Sequence, residues 1–109
     1  MSERDSLADL ELDRTIHERA RLMILTHLAS SRAAETGFTD LKDELGISAG
    51  NLSLQIKNLE EAGYLIVSKS YRDNKPYTGI RLSFEGKRAL ETYLGELEVI
   101  VSRLKGGRA

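Results

Sequence analysis

Apolar residues recur at intervals of three and four along five stretches of this chain, and they alternate with polar residues along two others. The first spacing is typical of amphipathic helices, and alternation is typical of strands. The predicted helices cover residues 6–16, 17–31, 40–45, 48–62 and 84–105. The predicted strands cover residues 64–70 and 77–82. The pattern therefore indicates a mainly helical chain in which a hairpin precedes one long helix.

The middle of the chain has the pattern of two helices joined by a tight turn. Thr39 and Ser48 are the expected N-caps of the short and the long helix, because their hydroxyls can accept a hydrogen bond from the first helical turn. Gly46 suits a left-handed C-cap between them. In the long helix Leu52 and Leu59 share an inward face. This order of elements predicts a helix-turn-helix.

A hairpin is predicted next, with turn-forming residues at positions 72–76. Residues 64–82 hold four basic residues and one acidic residue, a surplus of three positive charges. Residues 1–12 have a surplus of three negative charges. Since the net charge is −1, a nucleic-acid binder of this composition must concentrate its cations on one face. The hairpin is the expected position of that basic face.

The last predicted helix carries an apolar seam at steps of four and three, as in a coiled coil. A helix over residues 84–105 would be about 33 Å long, more than so small a domain needs to cover its own core. The seam can pack on the first helices of the same chain, but its length favours a partner helix. The expected dimer interface consists of Leu7, Leu10, Leu90, Leu94, Leu97, Val101 and Leu104.

Composition narrows the function further. A length of 109 residues predicts a single domain, spanning residues 1–109. The absence of cysteine excludes disulfides, thiol catalysis and zinc–thiolate sites. No apolar run has the length of a membrane span, and the polar N-terminus lacks the apolar core of a signal peptide. We therefore expect a cytoplasmic protein with no membrane partner.

Three runs of residues, Gly50–Ser53, Leu59–Tyr64 and Arg81–Gly86, follow one another in a fixed order. Together they resemble winged-helix transcriptional regulators of the MarR/ArsR type, most closely the short stand-alone DNA-binding proteins of bacteria and archaea. The resemblance implies an α+β, mainly α fold: a winged helix-turn-helix with a two-stranded β-hairpin wing and a long C-terminal dimerisation helix. It also implies a homodimer that binds a pseudo-palindromic operator in double-stranded DNA and regulates transcription.

The resemblance assigns the helix over residues 48–62 to the major groove and the hairpin tip to phosphates or the minor groove. The residues implied in the major groove are Ser48, Asn51, Ser53, Leu54, Lys57 and Asn58. The residues implied at the wing are Arg72, Asn74 and Lys75. Leu54 departs from the polar or basic residue usual in relatives. A leucine there can contact a thymine methyl group, or it can belong to a surface with another use.

Two other functions fit the same residues. One is a winged-helix protein–protein interaction module without DNA binding, suggested by the near-neutral charge, Leu54 and the single cation Lys57 on that helix face. The other is a regulator with an unidentified small-molecule effector between the dimer helices and the core. An enzyme is not expected, because no phosphate loop or nucleophile motif occurs. His17 and His27 stand apart from other ligand types, so no metal or cofactor is predicted.

Overall fold

The computed structural model describes residues 6–106 of the chain. A single 3₁₀ turn, Leu7–Asp9, comes first. The elements that follow are α1 (Arg19–Ser30), β1 (Thr36–Gly37), α2 (Phe38–Leu45), α3 (Ala49–Glu61), β2 (Leu65–Arg72), β3 (Lys75–Leu82) and α4 (Phe84–Leu104). The strands form one antiparallel sheet in the order β1-β3-β2. The predicted fold class, a mainly helical α+β winged helix-turn-helix, is confirmed.

The core lies where α1, α2 and α3 pack against the sheet and the first half of α4. Helical spacing accounts for it, since each helix buries the apolar stripe that faces the others. The side chains with no exposed surface are Ile16, Ile24, Leu25, Leu41, Leu52, Leu59 and Ile80. Full burial of a leucine or isoleucine contributes about 1.5 to 3 kcal/mol. The central position of this cluster therefore fixes the orientation of α3 relative to the sheet.

The two helices of the helix-turn-helix begin and end at the predicted capping residues, with one exception. The Ser48 hydroxyl accepts a hydrogen bond from the Asn51 amide and caps α3. Gly46 has a φ of 64°, the left-handed conformation that a side chain disfavours. The predicted N-cap at Thr39 is wrong, because α2 begins at Phe38 with Gly37 as its N-cap. Gly37 pairs with Gly79 of β3, so the strand β1 runs directly into the helix.

The predicted helix over residues 6–16 is wrong. Apart from the single 3₁₀ turn, the described part of this region is non-helical, and residues 10–18 form an N-terminal strap across the domain. The Glu96 carboxylate of α4 accepts hydrogen bonds from the backbone amides of Glu11 and Leu12, both at 3.1 Å. Leu12 has a φ of 46°, which no residue of a right-handed helix adopts. Hydrogen bonds to Glu96 thus take the place of the backbone hydrogen bonds of the helix that the local apolar pattern predicted.

The sheet is larger than the predicted two-stranded hairpin. β1 adds a third strand, with Thr36 opposite Ile80. The two long strands pair up to Arg72 opposite Lys75, so the wing turn contains only two residues. These residues, Asp73 and Asn74, have φ values of 52° and 64°. Positive φ at both positions is the geometry of a type I′ turn, which matches the twist of a hairpin.

Helix α4 has two different halves. Leu90 and Tyr93 lie in the core of the same chain with 4% and 2% exposure, so Leu90 is not available to a partner and its assignment to the dimer interface is wrong. Leu94, Val101 and Leu104 are 42%, 46% and 81% exposed. The chain measures 58 × 24 × 24 Å, and its radius of gyration is 16.2 Å. A compact domain of this length has about 13 Å, so the shape is elongated.

Candidate DNA interface

One face of α3 is turned away from the core of the domain. Leu52, Gln55, Ile56 and Leu59 point inward, whereas Leu54 is 54% exposed. The predicted groove residues Ser48, Asn51, Ser53, Leu54 and Lys57 are all exposed, and Asn58 is half-buried. The structure therefore brings these residues together on one helix surface. The chemistry of that surface is polar, with one large apolar side chain and one cation among these six.

A chain of hydrogen bonds joins this face to α1. The Arg21 guanidinium donates to the Gln55 carbonyl oxygen at 2.7 Å, and the Gln55 amino group donates to Asn51 Oδ1 at 3.0 Å. Arg21 also donates from Nε to the Thr15 carbonyl of the N-terminal strap at 2.5 Å. Gln55 is only 9% exposed. A buried amide must find partners for both its donor and its acceptor, and here it finds them on two different helices.

The two cations at the wing tip, Arg72 and Lys75, have different surroundings. The Arg72 guanidinium donates to Glu35 Oε2 at 2.8 Å and lies 3.7 Å from the ring centroid of Tyr77. An arginine over an aromatic face is attracted by the ring quadrupole. Arg72 is therefore fixed in position, with its charge partly compensated. Lys75, on the paired strand, and Asn74, in the turn, are both exposed.

Close approach at the sheet makes the pairing of Arg72 possible. Gly79 lies in β3 beside the Glu35 carboxylate, and a Cβ at that position would come within 2.5 Å of Glu35 Cδ. Because glycine has no side chain, the carboxylate lies against the strand and reaches Arg72. Glu35 thus brings a negative charge to the surface that the sequence marked as basic.

The strap is anchored beside this site by two tyrosines. The Tyr64 hydroxyl donates a short hydrogen bond to Asp13 Oδ2, and His17 Nδ1 lies 2.7 Å from the Tyr93 hydroxyl. The hydrogen bond to Asp13, together with partial burial, raises the pKa of Tyr64 to about 12. Burial raises the pKa of Tyr93 as well. Asp13 also accepts from the Thr15 amide at 2.8 Å, so the strap enters α1 in a fixed conformation.

An open groove of about 1170 Å³ lies between residues 9–14 and the middle of α4. Its charged lining includes Asp13, Glu91 and Glu96 together with Arg14 and Arg88. The hypothesis of a small-molecule effector stays a prediction.

Among residues 6–106, no three histidine, aspartate or glutamate side chains are placed to share a metal ion. Over the same residues, no helix has the length and apolar character needed to cross a membrane.

Sequence reasoning missed four residues of this site. Gln55 lies three positions after Leu52 and four before Leu59, so the helical period could have placed it inward. Arg21 could have been found in the same way from Leu25 and Leu28 of α1. Tyr77 lies only five residues after Arg72, but strand alternation does not indicate which side chain covers its ring. Glu35 gave no signal, because it is 37 residues from Arg72. Only the return of the chain to the sheet brings it there.

Residues 20–101 match the family described as the winged helix DNA-binding domain. An uncharacterized protein of Methanocaldococcus jannaschii is 33% identical over 60 residues, which are 55% of this chain and 65% of that protein. The chain therefore spans less than two thirds of this relative.

Two solved structures are similar in fold. A transcriptional regulator homologue from Pyrococcus horikoshii OT3 has a TM-score of 0.77 and 23% identity, and the match covers 84% of this chain and 89% of that one. A MarR/EmrR family transcriptional regulator from Acinetobacter sp. ADP1 has a TM-score of 0.59 and 25% identity, over 78% of this chain and 58% of that one. The predicted resemblance to winged-helix regulators of the MarR type is confirmed.

Proposed function

Since this chain belongs to the winged helix DNA-binding domain family, which is not an enzyme family, we propose that it is a transcriptional regulator. It binds a pseudo-palindromic operator in double-stranded DNA as a homodimer and acts in the cytoplasm. The observation that carries this proposal is the exposed polar face of α3, next in sequence to a hairpin whose exposed end carries Arg72 and Lys75.

In this mechanism α3 enters the major groove, where base edges present a distinct pattern of donors and acceptors. Asn51 and Ser53 supply polar contacts, and the exposed Leu54 can contact a thymine methyl group. Lys57 and the wing cations contact phosphates, which position the protein without reading sequence. Because α3 carries so few cations, most of the electrostatic affinity comes from the wing.

The homodimer is supported by the second half of α4. Leu94, Val101 and Leu104 are exposed at intervals that place them along one side of the helix, and Leu7 near the N-terminus is 53% exposed. Pairing of two such helices would remove this apolar surface from water. It would also relate two α3 helices by a two-fold axis, which is why a pseudo-palindromic site is proposed.

A protein–protein interaction module is the second candidate, and the exposure of Leu54 favours it. Such a module would use the α3 face for a protein partner and would leave DNA unbound. The two candidates differ in their response to salt, since counterion release makes DNA affinity fall steeply as salt rises.

The deciding experiment selects bound fragments from mixed genomic DNA across a salt series and measures the oligomer mass in parallel. A dimer that enriches a two-fold-symmetric site, with an affinity that falls steeply with salt, is the expected result. A protein that ignores DNA at low salt contradicts the proposal. In that case a partner that protects residues 48–58 would identify the interaction module.

A further inference from the structure

The amide of Asn51 has a fixed polarity, and its cause lies in a different helix. Arginine has only donors, so the group that receives a hydrogen bond from Arg21 must be the carbonyl oxygen of Gln55. The amino group of Gln55 must then point the other way, toward Asn51. Asn51 can meet that donor only with its own carbonyl oxygen. The guanidinium thus determines the orientation of two successive amides.

This polarity leaves the Asn51 amino group as the part presented to solvent. Asn51 is exposed, and its Oδ1 is occupied by Gln55 at 3.0 Å. Among residues 6–106, no hydrogen bond engages the Nδ2 amino group. An unconstrained asparagine can turn either a donor or an acceptor outward. In this protein the acceptor already receives a hydrogen bond from Gln55, so only the donor is available to a ligand.

We infer that Gln55 is a positioning residue for DNA recognition: it makes Asn51 a hydrogen-bond donor on the DNA face, directed at an acceptor atom of DNA. The inference rests on the proposed function, because it assigns a role within the DNA-binding face. The acceptor chemistry is shared by base edges, such as guanine O6 and N7 or thymine O4, and by phosphate oxygens. Gln55 itself is too buried to touch DNA from the position it holds.

Gln55→Glu separates this role from a merely structural one. A glutamate keeps an acceptor for Arg21 but has no donor for Asn51, so the Asn51 amide must turn over and present its oxygen outward. In the free protein, proton exchange measured by NMR should show a protected side-chain amino group on Gln55 and an unprotected one on Asn51. In Gln55→Glu the Asn51 amino group should become protected. Unchanged exchange at Asn51 would overturn the inference without any DNA present.

The second test is a double-mutant cycle of DNA affinity. It compares the wild-type protein with Asn51→Ala, Gln55→Glu and the double variant, and thermal unfolding checks that each variant is folded. The added negative charge weakens binding in both backgrounds, but the loss should be about two- to tenfold greater where Asn51 is present, the value of one hydrogen bond. If the loss of affinity depends on one base pair, and the preferred base there changes to one that offers a donor, the acceptor contacted by Asn51 is a base edge. An equal loss on every sequence identifies a phosphate.

These outcomes distinguish a failure of the role inferred for Gln55 from a failure of the proposed function. If the wild-type protein binds DNA selectively but the cycle shows equal losses in both backgrounds, Gln55 has no positioning role and the proposed function stands. If the wild-type protein does not bind DNA at any salt concentration, the proposed function fails and the DNA role of Gln55 fails with it.

Discussion

Arg72 and Glu35 form an ion pair of 2.8 Å that connects the wing to the segment before β1. The side chain of Arg72 is 59% exposed and that of Glu35 is 28% exposed. An exposed pair of this kind contributes about 0 to 1 kcal/mol to stability. Its larger consequence is electrostatic, because Glu35 offsets the charge of Arg72, one of the two cations at the wing that we propose to contact phosphate.

Glu35→Gln is therefore expected to strengthen DNA binding by about two- to threefold at low salt, because one negative charge is removed from the wing surface. The gain should shrink as salt screens the charges. Affinity measured by fluorescence anisotropy across a salt series tests this expectation. Glu98→Gln, an exposed position on α4, is the matched control and should change affinity little. Equal effects of the two variants would exclude a local role for Glu35.

Arg72→Ala and Lys75→Ala should each weaken binding to all sequences and lower the salt slope by about 1. Arg72→Ala should have the greater effect, because it also leaves the Glu35 carboxylate unpaired beside the DNA. Lys105→Ala, past the end of α4, serves as the control for a lost surface charge. An unchanged slope for both wing variants would show that the wing does not contact phosphates.

Two glycines of α4 should respond in opposite ways to alanine. A Cβ at Gly86 would collide with the carbonyl oxygen of Tyr64, whereas a Cβ at Gly95 meets nothing within 4 Å. Gly86→Ala should reduce the free energy of unfolding by about 3 kcal/mol, as overpacking does. Gly95→Ala should raise it by about 0.5 to 1 kcal/mol, because alanine favours helix. Urea denaturation of both variants is the measurement, and destabilisation by Gly95→Ala would contradict the open space around it.

The hydrogen bond between Tyr64 and Asp13 should make stability depend on alkaline pH. The pKa of Tyr64 is raised to about 12, so the folded protein retains the proton that the unfolded chain loses near pH 10. This stabilisation is fully present below pH 10 and is lost as the pH rises toward 12. Tyr64→Phe should be less stable at neutral pH, and its deficit should narrow above pH 10. Urea midpoints from pH 8 to 12 test this, with Tyr71→Phe at the exposed wing as control.

Leu94→Glu and Val101→Glu should dissociate the proposed homodimer without unfolding the chain, because both side chains are already 42% and 46% exposed. A charge in an apolar interface loses solvation that no partner replaces. Ser102→Glu adds the same charge at an exposed neighbouring position and should leave the dimer intact. Light-scattering masses compare the three. Retention of the wild-type mass by both apolar-site variants would place the interface elsewhere.

The sequence predicted the elements that depend on local contacts. Helical spacing located α3 and α4 to within about two residues, and Ser48 and Ser83 cap them as serine should. The same spacing placed Leu54 and Lys57 on the outer face of α3, where they are exposed. These outcomes follow from interactions that span four residues or fewer, which can be read directly from the order of residues.

Only the tertiary structure decided the rest, since it depends on residues that are distant in sequence. Glu96 holds the strap from 85 residues away and prevents the predicted first helix. Arg21 reaches Gln55 across 34 residues and sets the polarity of Asn51. Hydrogen bonds of this kind have no period in the sequence, because their partners meet only after the core has folded. The sequence by itself therefore determined which surface faces outward, and the tertiary structure determined which chemical groups that surface presents.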